Sequence, residues 1–257
     1  MTQQRFLNRV ALVTGGASGM GRQIALSFAA EGAKVVVGDI QDEMGAETVA
    51  IITAAGGQAV FQKTDVSQTA DVDALVALAV SYFGGLNHAV NAAAIEGEAP
   101  ELALLEEDVF DRIIAVNLRS VFLSMRAEVR AFLTAKTGGT IVNIASTNSY
   151  RPQPGQSAYT SSKFAVAGIT KAAAIEYAGR GIRINAVAPG SIDTPMLRNA
   201  MARRKRGDEA DTIARLSLIG RFGTVEEIAH ATLWLSSDEA TYTMGHVMAV
   251  DGGYLSR

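Results

Sequence analysis

The chain of 257 residues contains no cysteine, so neither a disulfide framework nor a thiolate metal site can form. Its histidines, His88, His230 and His246, show no metal-ligand spacing, and no metal is expected. Only five prolines occur, and no Pro/Ser-rich linker, repeat or low-complexity tract divides the sequence. That predicts one domain over residues 1–257. No run approaches the roughly 18 apolar residues needed to cross a bilayer, so no membrane partner is expected. Met1–Arg9 is polar and lacks the apolar stretch of a secretory signal, which points to the cytoplasm. A net charge of -3 offers no concentrated basic face, and no nucleic-acid partner is expected.

What is present is a core. Hydrophobic residues make up 48% and charged residues 19%, a globular composition. Short β-branched runs alternate with longer Ala-rich stretches. The strand candidates are Val10–Thr14, Lys34–Asp39, Ala59–Thr64, Asn87–Asn91, Thr140–Ala145, Arg183–Val187 and Val247–Val250. Helix candidates include Gly21–Ala30, Asp42–Ala54, Asp71–Tyr82, Phe110–Leu133, Ser161–Gly179 and Val225–Ser236. Several strands are apolar throughout, as in a sheet covered on both faces. The alternation predicts right-handed βαβ crossovers: an α/β, Rossmann-type, doubly wound parallel sheet of about seven strands. Residues 191–222 break the pattern after the sixth strand and are a candidate substrate lid.

The first strand runs into Thr14-Gly15-Gly16-Ala17-Ser18-Gly19-Met20-Gly21, followed by a helix. Glycines there let the backbone approach a pyrophosphate, and the helix N-terminus supplies N–H donors. The spacing G-x-x-x-G-x-G departs from the usual dinucleotide fingerprint, and by itself it could mark a plain turn. Asp39 ends the second strand, 18 residues past Gly21, where a carboxylate accepts from adenosine ribose hydroxyls. A 2′-phosphate would be repelled there, and neither position 40 nor 41 is an arginine, so NAD is favoured over NADP.

Tyr159 and Lys163 lie four apart on one helical face, and Ser146 precedes the tyrosine by 13 residues. Singly, each could be an ordinary surface or loop residue. Together with the glycine loop, Asp65-Val66, Asn91-Ala92-Ala93-Ala94, Asn117, residues 189–195 and the terminal Asp251-Gly252-Gly253, they resemble the short-chain dehydrogenase/reductase family. The resemblance spans essentially the whole chain. It implies hydride transfer between NAD(H) and a secondary alcohol or ketone. Tyr159 would be the acid/base, Lys163 would bind the nicotinamide ribose, Ser146 would orient the substrate oxygen, and Asn117 would anchor a proton relay. Cofactor contacts would come from Gly15, Ser18, Gly19, Met20, Gly21, Asp39, Ile40, Asp65, Val66, Asn91, Ala92, Pro189, Gly190, Ile192 and Thr194, besides Tyr159 and Lys163. A homotetramer through the helices Phe110–Leu133 and Phe164–Ala178 is implied as well. Where the family usually has Asn-Asn-Ala-Gly this chain has Asn91-Ala92-Ala93-Ala94, which predicts a local packing adjustment.

Physical reasoning agrees with the tyrosine's part. A tyrosine acting near neutrality needs its pKa lowered by about three units, or roughly 4 kcal/mol. One positive charge about 4 Å away supplies roughly that at an effective dielectric of ~20. Gly15, Asp39, Asp65, Asn91, Ser146 and Pro189 also all follow strand carboxyl ends, which share one edge of a parallel sheet. Alternatives are an NADP-dependent carbonyl or 3-oxoacyl reductase, which Asp39 opposes, and a catalytically silent nucleotide sensor, which an intact Asn117, Ser146, Tyr159 and Lys163 oppose. The loops Ile95–Glu98, Thr147–Gln156 and Ser191–Arg206 would line the substrate, with Tyr150, Pro152, Pro154 and Met196 favouring a neutral, cyclic one. Arg151 is a candidate fixed cation, and the basic run Arg203–Arg206 reads as a solvated face.

Overall fold

Seven short runs become seven parallel strands in the order β3-β2-β1-β4-β5-β6-β7. They are β1 (Val10–Thr14), β2 (Lys34–Asp39), β3 (Gln58–Lys63), β4 (His88–Asn91), β5 (Gly139–Ile144), β6 (Ile182–Pro189) and β7 (Val247–Val250). The computed structural model describes residues 4–96, 100–204 and 209–256, with Arg203 and Arg204 defined by backbone alone. The order reverses between β1 and β4, and that reversal opens a crevice at the strand carboxyl ends.

Helices α1 (Gly19–Ala30), α2 (Asp42–Ala54) and α9 (Val225–Ser236) cover one face of the sheet. Helices α3 (Thr69–Phe83), α5 (Ser120–Ala135) and α6 (Ser157–Tyr177) cover the other. The pleat divides each strand between the two cores. In β1, Val10 and Leu12 face α3 and α5, while Ala11 and Val13 face α1. A strand buried on both faces must be apolar at every position, which is why β1 does not alternate. Each fully buried Val or Leu contributes about 1.5–3 kcal/mol, so the sheet is the most strongly held part of the molecule.

Two expectations need correction. The helix expected over Phe110–Leu133 is α4 (Glu107–Ile114), a π-turn at Ala115–Arg119 and α5. At the end of that turn the Ser120 hydroxyl donates to the Val116 carbonyl, and Asn117 within it is fully buried; such π-turns recur at functional sites. Helix α6 begins at Ser157 rather than Ser161, after Pro154-Gly155 and the N-cap Gln156, so Tyr159 lies inside its first turn. Residues 191–222 hold two short helices, α7 (Pro195–Arg204) and α8 (Glu209–Leu216). Arg198 links them, donating to both carboxylate oxygens of Asp193 at 2.7 and 2.8 Å and to Glu209 at 2.6 Å. The side chains of Arg203–Arg206, and Glu98 of the expected pocket segment, fall outside the described residues. Among the described residues no helix is long and apolar enough to cross a membrane, and no cluster of metal-ligating side chains occurs.

Candidate active site

Two clefts meet at the strand carboxyl ends. The first, an open space of about 990 Å³, is lined by Gly15, Ser18, Gly19, Met20, Gly21, Asp39, Ile40, Asp65, Val66, Ala92 and Thr194, all expected cofactor residues. The second, about 670 Å³, brings together Ser146, Tyr159, Pro189, Gly190 and Ile192. Met20, Thr194 and Met196 line both, so the two clefts are continuous.

The glycine turn is built for close approach. Gly15 has φ +70°, and a Cβ there would lie 2.7 Å from the Ala93 backbone. At Gly21 a Cβ would lie 2.1 Å from the Gly15 carbonyl oxygen. Any larger residue at either position would push the turn out of the cleft. Ser18, at the N-cap of α1, is extended and its side chain does not cap the helix. The orphan N–H groups of the first turn are therefore left for a ligand.

Asp39 is buried to 8% exposure and lines this cleft. One oxygen accepts from the Ala17 N–H and the other from the Gln41 N–H, both at 3.0 Å. These bonds fix the carboxylate's orientation and leave lone pairs for further donors. No lysine or arginine is among the described residues lining the cleft. Arg22, on the adjoining helix, is committed to the carbonyls of Ala17 and Met44 and to Glu47. The Asp65 carboxylate accepts from the N–H and hydroxyl of Ser67, capping the turn into α3.

In the second cleft, the Ser146 hydroxyl oxygen accepts from the Asn148 N–H at 3.1 Å, which leaves its own proton for another acceptor. Lys163 is 2% exposed and lies behind the cleft wall. Its ammonium donates to the Ile144 carbonyl at 2.8 Å and sits 5.7 Å from the centre of the Tyr159 ring. Burial lowers its pKa to about 8. Asn117 is also behind the wall: its carboxamide accepts from the Ile95 N–H at 2.8 Å and donates to the Ile95 carbonyl at 2.9 Å. It pins the loop after β4.

Asn91 is buried and lines neither cleft; its amide donates to Asn143 and to Glu128. The Asn91-Ala92-Ala93-Ala94 departure is absorbed locally. Thr14 accepts from the N–H groups of Ala92 and Ala93, and Ala92 packs into the core beside α1. Ala94 is absent from the left-handed region that a glycine there would permit.

Glu128 was not anticipated. It is fully buried on α5, and burial raises its pKa to about 8. A signal for it exists in the sequence: Val121, Ser124, Met125, Glu128 and Phe132 repeat at helical spacing on the inner face, and only one of them is ionisable. Arg151, the candidate fixed cation of the pocket loops, lies 5.0 Å over the Tyr254 ring and donates to the Tyr254 carbonyl. A stacked, carbonyl-bound guanidinium braces the C-terminal turn rather than meeting a ligand.

Comparisons with known proteins place this geometry. A family model described as enoyl-(acyl carrier protein) reductase matches residues 15–255. The short chain dehydrogenase/reductase astE of Aspergillus oryzae is 42% identical over 246 residues, covering 95% of this chain and 94% of its own. Cyclohexanol dehydrogenase of an Acinetobacter species is 43% identical over 253 residues, covering 98% and 97%. The crystal structure of levodione reductase superposes with a TM-score of 0.92 at 36% identity, covering 96% of this chain and 98% of that one. With its strand order, its glycine turn and relatives matched over nearly their full length, the chain belongs to the short-chain dehydrogenase/reductase family of oxidoreductases.

Proposed function

We propose that the protein is an NAD-dependent dehydrogenase/reductase acting on a neutral, cyclic secondary alcohol or its ketone, with Tyr159 as general acid/base. The observation that carries the cofactor assignment is Asp39, a fixed carboxylate at the ribose end of a cleft without a described cation. A 2′-phosphate about 4 Å from it would lose roughly 4 kcal/mol per unit charge at an effective dielectric of ~20. That opposes the alternative of an NADP-dependent carbonyl or 3-oxoacyl reductase. The sensor alternative is opposed by the grouping of Ser146, Tyr159 and Lys163.

The bound dinucleotide would supply or accept the hydride. The chain's own residues handle position and proton. The donors of the α1 N-terminus would hold the pyrophosphate, Asp39 the adenosine ribose, and Ile192 and Thr194 the nicotinamide end. An ammonium has three donors. Lys163 uses one on Ile144 and would turn another to the nicotinamide ribose. Its charge also favours the tyrosinate form of Tyr159, so that Tyr159 takes the alcohol proton or returns it to the carbonyl oxygen. Ser146 donates to that same oxygen. Asn117, by holding Ile95, would keep the cleft wall in place beside the reacting groups.

The substrate class rests on the second cleft, where Met20, Ala145, Ile192, Met196 and Leu197 supply apolar wall and no described lysine or arginine is present. Cyclohexanol dehydrogenase and levodione reductase, by their names, act on a ring alcohol and a dione. Homotetramer formation is favoured by the exposed apolar groups on α5 and α6, including Phe122 and Phe164. We read residues 1–257 as one catalytic domain with α7 and α8 as its lid, working in the cytoplasm.

The decisive measurement is kcat/KM for cyclohexanol oxidation with NAD and with NADP. A preference for NAD of about 10²-fold or more is expected, narrowing in Asp39→Ser. A preference for NADP overturns the assignment.

A further inference from the structure

Four long polar side chains line the cleft that holds Ser146 and Tyr159: Glu96, Asn148, Gln153 and Gln156. Three are already engaged. Asn148 donates to the Gln156 side-chain oxygen and to Thr160. Glu96, Asn148 and Gln156 each have further partners. Gln153 alone makes no hydrogen bond among the described residues, although it is partly buried against the cleft. A carboxamide with two donors and an acceptor, sheltered and unpaired beside the reacting groups, loses free energy unless a ligand satisfies it.

The loop presents this amide rigidly. Gln153 stands between Pro152 and Pro154 in the run Arg151-Pro152-Gln153-Pro154-Gly155-Gln156. Each proline fixes its own φ and biases the residue before it towards an extended conformation, so both Arg151 and Gln153 are restricted. The loop is anchored at both ends. The Tyr150 hydroxyl donates to the Val247 carbonyl, and Arg151 stacks on Tyr254 and donates to its carbonyl. At the other end Gln156 is held by Asn148, whose N–H also positions Ser146. Little conformational entropy remains to be lost when Gln153 meets a ligand, and its distance from Ser146 is set by the same turn.

We propose that Gln153 is a specificity-determining residue that hydrogen-bonds a second neutral oxygen, hydroxyl or carbonyl, on the substrate. The reaction class is that of the preceding section, on which this assignment rests. An amide carries no net charge, so the group it takes is a neutral oxygen rather than a carboxylate or phosphate. With the other long polar side chains of the wall already engaged, the fitting substrate is a ring or chain with two oxygens. One reacts at Tyr159 and Ser146; the other, across the molecule, meets Gln153.

The test compares kcat/KM for 1,4-cyclohexanediol and cyclohexanol, with NAD, in the wild type and in Gln153→Leu and Gln153→Glu. The wild type is expected to prefer the diol by about tenfold or more, because a site with an unpaired polar group discriminates against the analogue lacking its partner. Gln153→Leu should lose about that factor, mainly through the KM of the diol. Gln153→Glu keeps an acceptor and loses the donor. It should therefore retain the diol preference but lose reduction of 1,4-cyclohexanedione relative to cyclohexanone. Melting temperature and NADH fluorescence titration confirm that each variant is folded and binds the cofactor. Turnover of both alcohols with a diol-to-monool ratio unchanged in Gln153→Leu overturns the role of Gln153 and leaves the reaction intact. Failure to turn over any secondary alcohol, with NADH still bound, overturns the reaction and the Gln153 assignment together.

Discussion

Lys163 and Tyr159 stand one helical turn apart, with the ammonium 5.7 Å from the centre of the phenol ring and anchored on the Ile144 carbonyl. The anchor comes from the end of β5, the strand that leads into Ser146. A single strand end thus supports both the cation and the hydroxyl beside Tyr159. Tyr159→Phe removes the titrating proton and keeps the ring. Turnover is expected to fall by about 10²–10⁴-fold, the usual worth of a general acid/base. NADH affinity, read by fluorescence titration, should stay within a few-fold. Near-normal turnover in that variant would remove Tyr159 from the proposed mechanism.

The lysine itself carries a second prediction. Burial lowers its pKa to about 8, because the charged form is desolvated. Below that pH the ammonium is present and can donate to the cofactor ribose; above it the neutral amine predominates. If binding uses the ammonium, the Kd for NADH rises by up to about tenfold per pH unit above 8. In Lys163→Met the Kd is expected to be higher and flat across the same range. A flat profile in the wild-type protein would separate Lys163 from cofactor binding.

How much of this could be read beforehand follows from what each feature depends on. The strands were legible because parallel strands buried on both faces need continuous apolar runs, and β1 and the Val35–Val37 centre of β2 have them. The glycine turn and Asp39 were legible because backbone approach and a strand-end carboxylate are local requirements. The π-turn was not, since one extra residue in a helix leaves the apolar period almost unchanged over its length. The start of α6 was missed because its N-cap is Gln156, which is not a favoured capping type and makes no side-chain cap bond. Arg151 stacks on Tyr254, 103 positions away, and only the folded sheet brings them together. Glu128 was the opposite case. Its place on the inner stripe of α5 was available from spacing alone.

Glu128 and His88 make the last prediction, because burial moves their titrations in opposite directions. Glu128 is fully buried and its pKa rises to about 8 from an ordinary 4.5. Its proton stays bound in the folded protein and leaves the unfolded one, so its contribution to stability declines as pH climbs from 4.5 to 8. His88 lies at the start of β4 against the rings of Phe6 and Phe28, with Nδ1 2.8 Å from the Thr140 hydroxyl. Burial, reinforced by Arg9 and Arg183, lowers its pKa to about 3 from 6.5. The unfolded chain takes up that proton first, so stability declines as pH falls from 6.5 to 3. Each slope is at most about 1.4 kcal/mol per pH unit. Between 4.5 and 6.5 the two cancel; above 6.5 only the Glu128 slope remains, about 2 kcal/mol by pH 8. Melting temperature should therefore drop by several degrees between pH 6.5 and 8. In Glu128→Gln, which keeps the shape and cannot ionise, that decline should vanish while the acid-side decline from His88 persists. An identical alkaline decline in Glu128→Gln would mean that the buried carboxyl does not titrate in this range, and that its environment supplies more donors than the single Asn91 amide.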